Sequence, residues 1–249
     1  MEITGLNDFI VWMYDKNGNL ITDPDAGGFS YEGDKGKVFT DSGQEIKGLF
    51  KVDLQSSLGA TQANITGLAP SVSRVYGSNF VAEVNTGAEQ PSVALAANDI
   101  PHVIYDLLTG LKKDSFGGYA RKGQSAPATG GVLAHSYNTH KGTDLYFAFP
   151  MGTFVPGELN MGTSTENPNV VHDALTLNAQ ARGKDLLLYE KFYSDEQGFD
   201  FNKMIAYVTG TSDIDTTADN KKATDPQGNS VAPKHDGTQG SDDSKKQNA

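Results

Sequence analysis

The sequence predicts a mainly antiparallel β chain, and three observations carry that expectation. Short runs rich in β-branched and aromatic residues recur between residues 8 and 192, separated by Gly, Asp, Asn and Pro, the punctuation of strands joined by turns. Alternation of period two marks one run clearly: in "HDALTLNAQA", Ala174, Thr176, Asn178 and Gln180 alternate with Leu175, Leu177, Ala179 and Ala181. Helical spacing is confined to two segments.

Taken in order, "DFIVWMYD" (Asp8–Asp15) reads as a strand. The Asn17-Gly18 pair that follows suits the positive φ values of a tight turn, and Leu20-Ile21-Thr22 would return as its partner in an N-terminal hairpin. Residues 23–48, rich in Gly, Asp and Lys with scattered Phe29, Tyr31 and Phe39, read as a long loop. Further strands are expected over Phe50–Leu54, Ser71–Tyr76, Phe80–Asn85, Ser92–Ala97, Val132–Tyr137, Leu145–Phe149, His172–Ala181 and Asp185–Phe192. Those around Gly77-Ser78 form a second hairpin with alternating faces, preceded by a turn at Leu68-Ala69-Pro70.

A flanking helix is expected over about 99–110. Ile100, Val103, Ile104, Leu107, Leu108 and Leu111 fall on one stripe, Asn98 or Asp99 can cap it, and Gly110 can stop it. A short C-terminal helix over about 200–209 follows from Phe201, Met204, Ile205 and Val208, with Asp200 at its start and Gly210 at its end. Two more long loops span 112–131 and 150–170.

Composition divides the chain into a folded part, 1–210, and a polar tail, 211–249. The tail has no aromatic residue and only Ile214 and Val231 as large aliphatics, too little apolar area to offset its ordering entropy. Its seven Asp and five Lys leave −2, so −9 of the net −11 belongs to the folded part.

Several function classes lose their chemistry at this level. With no cysteine there is no disulfide framework, thiolate metal site or cysteine nucleophile. The first residues begin acidic and lack a basic n-region, so no signal peptide is expected, and no apolar run approaches the roughly 20 residues of a membrane-spanning helix. A soluble protein kept in a cytoplasm is the expectation. The acidic balance argues against affinity for phosphate backbones.

Individual motifs mostly have bland readings. Asp15-Lys16-Asn17-Gly18-Asn19 matches a calcium loop at its first positions, but Leu20 and Ala26 stand where the turn glycine and the bidentate Glu are needed. Among the five histidines only His135 and His140 are close in sequence, and neither belongs to a metal-binding pattern. No nucleophile elbow, P-loop or dinucleotide fingerprint is present, so no catalytic residue, cofactor or metal is expected, and no enzyme. Asn64-Ile65-Thr66 fits a glycosylation acceptor but needs a secretory route. Lys112, Lys113, Arg121 and Lys122 flank a Gly-rich loop with Phe116 and Tyr119. A basic loop on an acidic protein suits an acidic patch on another copy; nucleic acid is the alternative.

"GATQANITGLAPSVSRVYGSNFVAEV" (Gly59–Val84) with "QPSVALAANDIP" (Gln90–Pro101), and "ALTLNAQARGKDLLLYEKF" (Ala174–Phe192) with the helix from Asp200, resemble the major tail proteins of long, non-contractile tailed bacteriophages of Gram-positive hosts. The resemblance covers approximately residues 5–210 and is weakest over 23–48 and after 210. It implies a tail-tube β-sandwich flanked by a helix, assembling into hexameric rings stacked around a channel, in the virion tail, after assembly in the host cytoplasm. Other tail proteins (tape measure, terminator, baseplate) are the implied partners, with no membrane. DNA would pass without specific binding, and acids on the wall would repel its phosphates. Asp53, Glu83 and Glu89, on or beside strands of the matched region, are the candidate lumen-facing acids, although each could equally face outward. Lys112, Lys113, Arg121 and Lys122 are the candidate inter-subunit loop. The alternative from another class is a secreted or surface β-sandwich that binds carbohydrate, against which stand the missing signal peptide and the single tryptophan, Trp12.

Overall fold

A run of six consecutive apolar or aromatic residues, Phe9 to Tyr14, needs an environment that buries both of its faces, since successive strand side chains point to opposite sides. The computed structural model, which describes residues 4–123, 126–158 and 173–211, supplies one. All of these lie in the compact unit Met1–Asp213. The polar tail after Thr211 and residues 159–170 of the expected 150–170 loop fall outside the described residues, while residues 150–156 of that loop are corrected to the end of a long strand.

The strands are β1 (Leu6–Met13), β2 (Val38–Phe39), β3 (Glu45–Ile46), β4 (Leu49–Val52), β5 (Ala60–Thr66), β6 (Val72–Gly77), β7 (Phe80–Thr86), β8 (Ser92–Ala97), β9 (Lys112–Lys113), β10 (Tyr119–Ala120), β11 (Thr129–Asn138), β12 (Thr143–Pro156), β13 (Asp173–Ala179) and β14 (Glu190–Tyr193). The helices are α1 (Leu54–Ser57), α2 (His102–Leu108) and α3 (Phe201–Val208). Eight strands form one antiparallel sheet in the order β4-β1-β11-β12-β13-β8-β5, with β14 also on β12. Three two-stranded ribbons, β2–β3, β6–β7 and β9–β10, stand apart.

Mainly antiparallel β is therefore the observed class, and its layers come from a single sheet that curls. The 14-residue β12 is long enough to serve two partners in turn, β14 along Leu145–Ala148 and β13 along Gly152–Pro156. Beyond β13 the sheet continues round until β5 lies beside β1. Inside the curl, Phe9, Val11, Phe50, Val93, Leu95, Val132, Phe149, Phe154, Leu175 and Leu177 form one core, joined by Ile104 and Leu108 of α2. On the outer face, Ile10, Trp12, Leu49 and Leu133 meet Met204, Ile205 and Val208 of α3. β1 thus feeds alternate residues into two cores. Each fully buried side chain of this size contributes roughly 1.5–3 kcal/mol.

Trp12 fits because β11 offers no side chain beneath it. A Cβ on Gly131 would come within 2.3 Å of the indole ring and 2.5 Å of the Pro150 carbonyl oxygen. The indole Nε1 donates to the Tyr14 hydroxyl at 2.8 Å, which satisfies a buried donor.

Several expected elements differ. The Asn17-Gly18 turn exists, with Gly18 at φ 83°, and Leu20 bridges Tyr14 antiparallel, flanked by bonds from Asp15 N to the Asn19 carbonyl at 2.9 Å and from Ile21 N to the Met13 carbonyl at 3.0 Å. Leu20–Thr22 do not continue as a regular strand, because β4 and β11 already occupy both edges of β1, so the N-terminal hairpin is shorter than expected. Leu54 opens α1 rather than ending a strand. Ala60–Thr66, without the apolar density of a strand, is one. The helix expected over 99–110 is shorter and takes Pro101 as its N-cap residue, while the Asn98 side chain instead donates to the Leu58 carbonyl at 2.8 Å. Residues 183–185 form a turn and 186–189 an irregular segment leading to a shorter β14. α3 keeps its expected cap, Asp200 accepting from Lys203 N at 2.9 Å.

Candidate functional site

Two ribbons leave the curled sheet, and they carry most of the residues singled out in the sequence. The larger is β6–β7. Its turn residues Ser78 and Asn79 adopt φ 50° and 70°, the positive pair that lets a two-residue turn follow the strand twist. Every residue of both strands is exposed. Exposure of Val72 (57%), Tyr76 (67%), Phe80 (75%) and Val84 (55%) is not what a ribbon packed on its own chain shows. Within the chain neither face of the ribbon packs on the curled sheet.

Register divides the ribbon into two unlike faces, since directly opposed residues of an antiparallel pair share a side. One side carries the pairs Val72 with Thr86, Arg74 with Val84 and Tyr76 with Val81. The other carries Ser73 with Asn85 and Val75 with Glu83, and near the turn Gly77 with Phe80. Ala82 is the extra residue of a bulge that keeps this division through the ribbon. Of the candidate acids, Glu83 therefore stands on the more polar face of an exposed ribbon. Glu89 is half-buried in the segment between β7 and β8.

Asp53 has a different setting. It is the N-cap of α1, accepting from Gln55 N at 3.0 Å and Ser56 N at 2.9 Å, while the Ser56 hydroxyl accepts from its backbone N–H. Lys51 Nζ lies 3.0 Å from its carboxylate. Burial works to raise its pKa, but Lys51 and the cap N–H groups outweigh that and hold it below the usual carboxylate range. Its charge is balanced locally.

The smaller ribbon brings the four candidate cations together. Lys112 pairs with Ala120 and Lys113 with Tyr119, and Arg121 and Lys122 follow directly. All four are exposed. At the tip, the Asp114 carboxylate accepts from Phe116 N at 2.9 Å and Gly118 N at 2.8 Å, leaving the Phe116 side chain 95% exposed. At the base, Tyr119 meets the His102 ring edge-on, centroids 5.9 Å apart.

Sequence reasoning missed a part-buried charge cluster on the body. The His135 imidazole lies between two carboxylates, Nδ1 at 3.2 Å from Asp8 and Nε2 at 3.0 Å from Asp144, and stacks on Tyr146 with centroids 4.6 Å apart. Burial disfavours its charged form, but hydrogen bonds and charge from Asp8 and Asp144 prevail and raise its pKa. Both ring nitrogens are engaged, which leaves none for a metal shared with His140. Among the described residues no group of three or more His, Cys, Asp or Glu is arranged to hold a metal ion. A signal existed in the alternation of β11, which places His135 on the same face as Leu133, but its partners lie 127 and 9 residues away.

The Asp15 carboxylate is likewise taken up by its own turn, accepting from Asn17 N and Asn19 N at 2.8 Å each. Asn64 is exposed on β5, the strand at the end of the sheet order.

The geometry thus presents protruding surfaces with exposed apolar and charged side chains, and no assembled set of reacting groups among the described residues. A family model described as phage tail tube protein matches residues 1–217. No curated protein matches the chain.

Proposed function

The chain belongs to the phage tail tube protein family, structural and non-enzymatic components of the virion tail that assemble with other tail proteins, and from that premise we propose that it forms hexameric rings stacked into a DNA conduit. The observation that carries the reading is the β6–β7 ribbon, exposed on both faces and bearing four apolar residues along one of them, against Val75 and Phe80 on the other. An isolated two-stranded ribbon is marginal in water and its free edges are a liability in a monomer. Closing such edges on copies of the same ribbon pairs the backbone groups and buries Val72, Tyr76, Val81 and Val84 together.

In this arrangement the face with Ser73, Asn85 and Glu83 lines the channel. A wall of repeated carboxylates repels phosphates and releases no counterions on contact, so the duplex stays mobile. Glu89 lies near the root of the same ribbon and adds to the field. Asp53 contributes less, because Lys51 neutralises it. The four cations of the β9–β10 ribbon face another copy. The proposed host type is Gram-positive and the tail long and non-contractile, on the resemblance of Gly59–Val84 and Ala174–Phe192.

Negative-stain microscopy and size-exclusion of the purified chain test this directly. Rings or tubes with six-fold symmetry are expected. A strictly monomeric protein at all concentrations, or one that binds glycans, overturns it.

A further inference from the structure

We propose that the Phe116 tip of the β9–β10 ribbon docks into the groove between the 30–35 loop, α1 and the start of α2 on a second copy of the chain. This rests on the self-assembly reading and specifies one contact within it.

The donor side is built for presentation. A phenyl ring 95% exposed is unfavourable in a free monomer, and the Asp114 bonds to Phe116 N and Gly118 N fix the tip before any partner arrives. A preordered tip loses little conformational freedom on docking. Around it, Lys112, Lys113, Arg121 and Lys122 outnumber the single acid Asp114.

The acceptor side has the complementary character. The groove encloses about 750 Å³, large enough for an aromatic side chain and the flanks of a turn. Tyr31, Phe50, Ile100 and Leu58 give it apolar lining, and Glu32, Asp99 and Asp173 give it more negative than positive charge, with Lys35 and His102 as the opposing groups. Lys35 is paired to Glu32 at 3.4 Å. Leu58 is held at φ 51°, a conformation disfavoured for leucine, with its carbonyl fixed by Asn98, and it remains 62% exposed beside the groove. Backbone strain that keeps an apolar side chain in solvent fits a surface awaiting a partner.

Among the described residues none fills the groove. Tyr119 at the ribbon base already touches His102 on the groove wall, yet the tip stays exposed. Tip and groove are different patches, so their union is heterologous and propagates from copy to copy, as a ring or a stack requires.

The absence of native cysteine makes disulfide trapping a clean test. Chains carrying Ser115→Cys and Leu58→Cys are mixed under assembling conditions and oxidised with a copper catalyst, with Gln55→Cys as a second groove position in case Leu58→Cys itself weakens docking. A crosslinked dimer containing one of each chain is expected in assembled particles, and adding Phe116→Ala to the tip chain should reduce its yield at least fivefold with the melting curve unchanged. Assembly with no mixed crosslink from either groove position overturns this contact and leaves the tube reading standing. Failure of the unsubstituted chain to assemble removes both.

Discussion

Arg182 grips Asp185 through two parallel bonds, Nε donating to Oδ1 at 3.1 Å and Nη2 to Oδ2 at 2.5 Å. The remaining nitrogen, Nη1, donates to the carbonyl oxygens of Tyr207 and Val208 at 2.9 Å each. A buried cation is thereby placed at the C-terminal end of α3, where the unpaired carbonyls and the helix dipole favour it. Arg182 is 8% exposed, so little water can replace these bonds.

Replacing Arg182 with Ala should therefore destabilise the fold by roughly 1.5–3 kcal/mol, the scale of hydrogen bonds to a charged group. Asp185→Asn should cost less, because its side chain is a third exposed. Arg182 holds the Asp185 carboxyl below its usual range. A depressed folded pKa stabilises above the unfolded value near 4 and loses that contribution as pH falls through the folded value. Urea unfolding at pH 7 and pH 3 checks both points: the wild-type advantage over Asp185→Asn should shrink at the lower pH.

His135 gives the opposite slope. Its folded pKa is raised above the ordinary value of 6.5, burial being outweighed by Asp8 and Asp144, so its stabilisation is complete below about pH 6.5 and is lost as pH rises through the raised value. Above that point a neutral ring is left between two carboxylates. His135→Gln should flatten this part of the stability profile and cost roughly 0.5–1.5 kcal/mol at pH 6 through the bonds lost to two part-exposed carboxylates. Histidine titration by NMR, with unfolding from pH 5.5 to 8.5, measures it; a His135 pKa at or below 6.5 would contradict the account.

What the sequence disclosed and what it hid follow from the range of the forces involved. Ser92–Ala97 and the helix from Asp200 were legible because alternation and a local cap act within a few residues. The N-terminal hairpin is shorter than its sequence suggests because the Asn17-Gly18 turn is local, whereas the claims of β4 and β11 on β1 come from 36 or more residues away. β5 was hidden since its exposed Thr61, Gln62, Asn64 and Thr66 dilute the apolar signal, and pairing with β8 decides it. At the candidate surfaces, the basic cluster could be read directly. The tip position of Phe116 could not, because it depends on the two-residue strands that close beneath it.

Gly131→Ala tests the Trp12 seat. The added methyl would press on the indole and the Pro150 carbonyl oxygen, and neither can retreat: one is fully buried and the other is backbone. Overpacking of this kind costs typically 1–3 kcal/mol. A lowered melting temperature with a shifted or broadened Trp12 fluorescence is expected; an unchanged melt would show that the backbone at the bulge of β12 opposite Gly131, Pro150-Met151, yields to the added methyl.

Reversal of Lys112, Lys113, Arg121 and Lys122 to Glu separates folding from assembly. All four are exposed on a ribbon outside both cores, so surface substitution should move stability by about 0.5 kcal/mol or less per site. Assembly should fall sharply, since four attractions across each contact become repulsions. Thermal melting paired with microscopy reads the two separately, and normal tubes from the reversed chain would remove this ribbon from the contacts that matter.

The two faces of β6–β7 predict two different failures from adjacent residues. Val84 shares its face with Val72, Tyr76 and Val81, so Val84→Asp puts a charge where copies are proposed to bury apolar area, and rings should not form although the monomer melts normally. Glu83 lies on the other face, so Glu83→Lys should leave assembly intact and convert the channel wall from repelling phosphates to binding them. Such tubes should retain duplex DNA with an affinity that falls steeply with salt, because each neutralised phosphate releases counterions. If Glu83→Lys blocks assembly while Val84→Asp tubes form and hold no DNA, the polar face is the inter-subunit one and the ribbon sits in the tube the other way round.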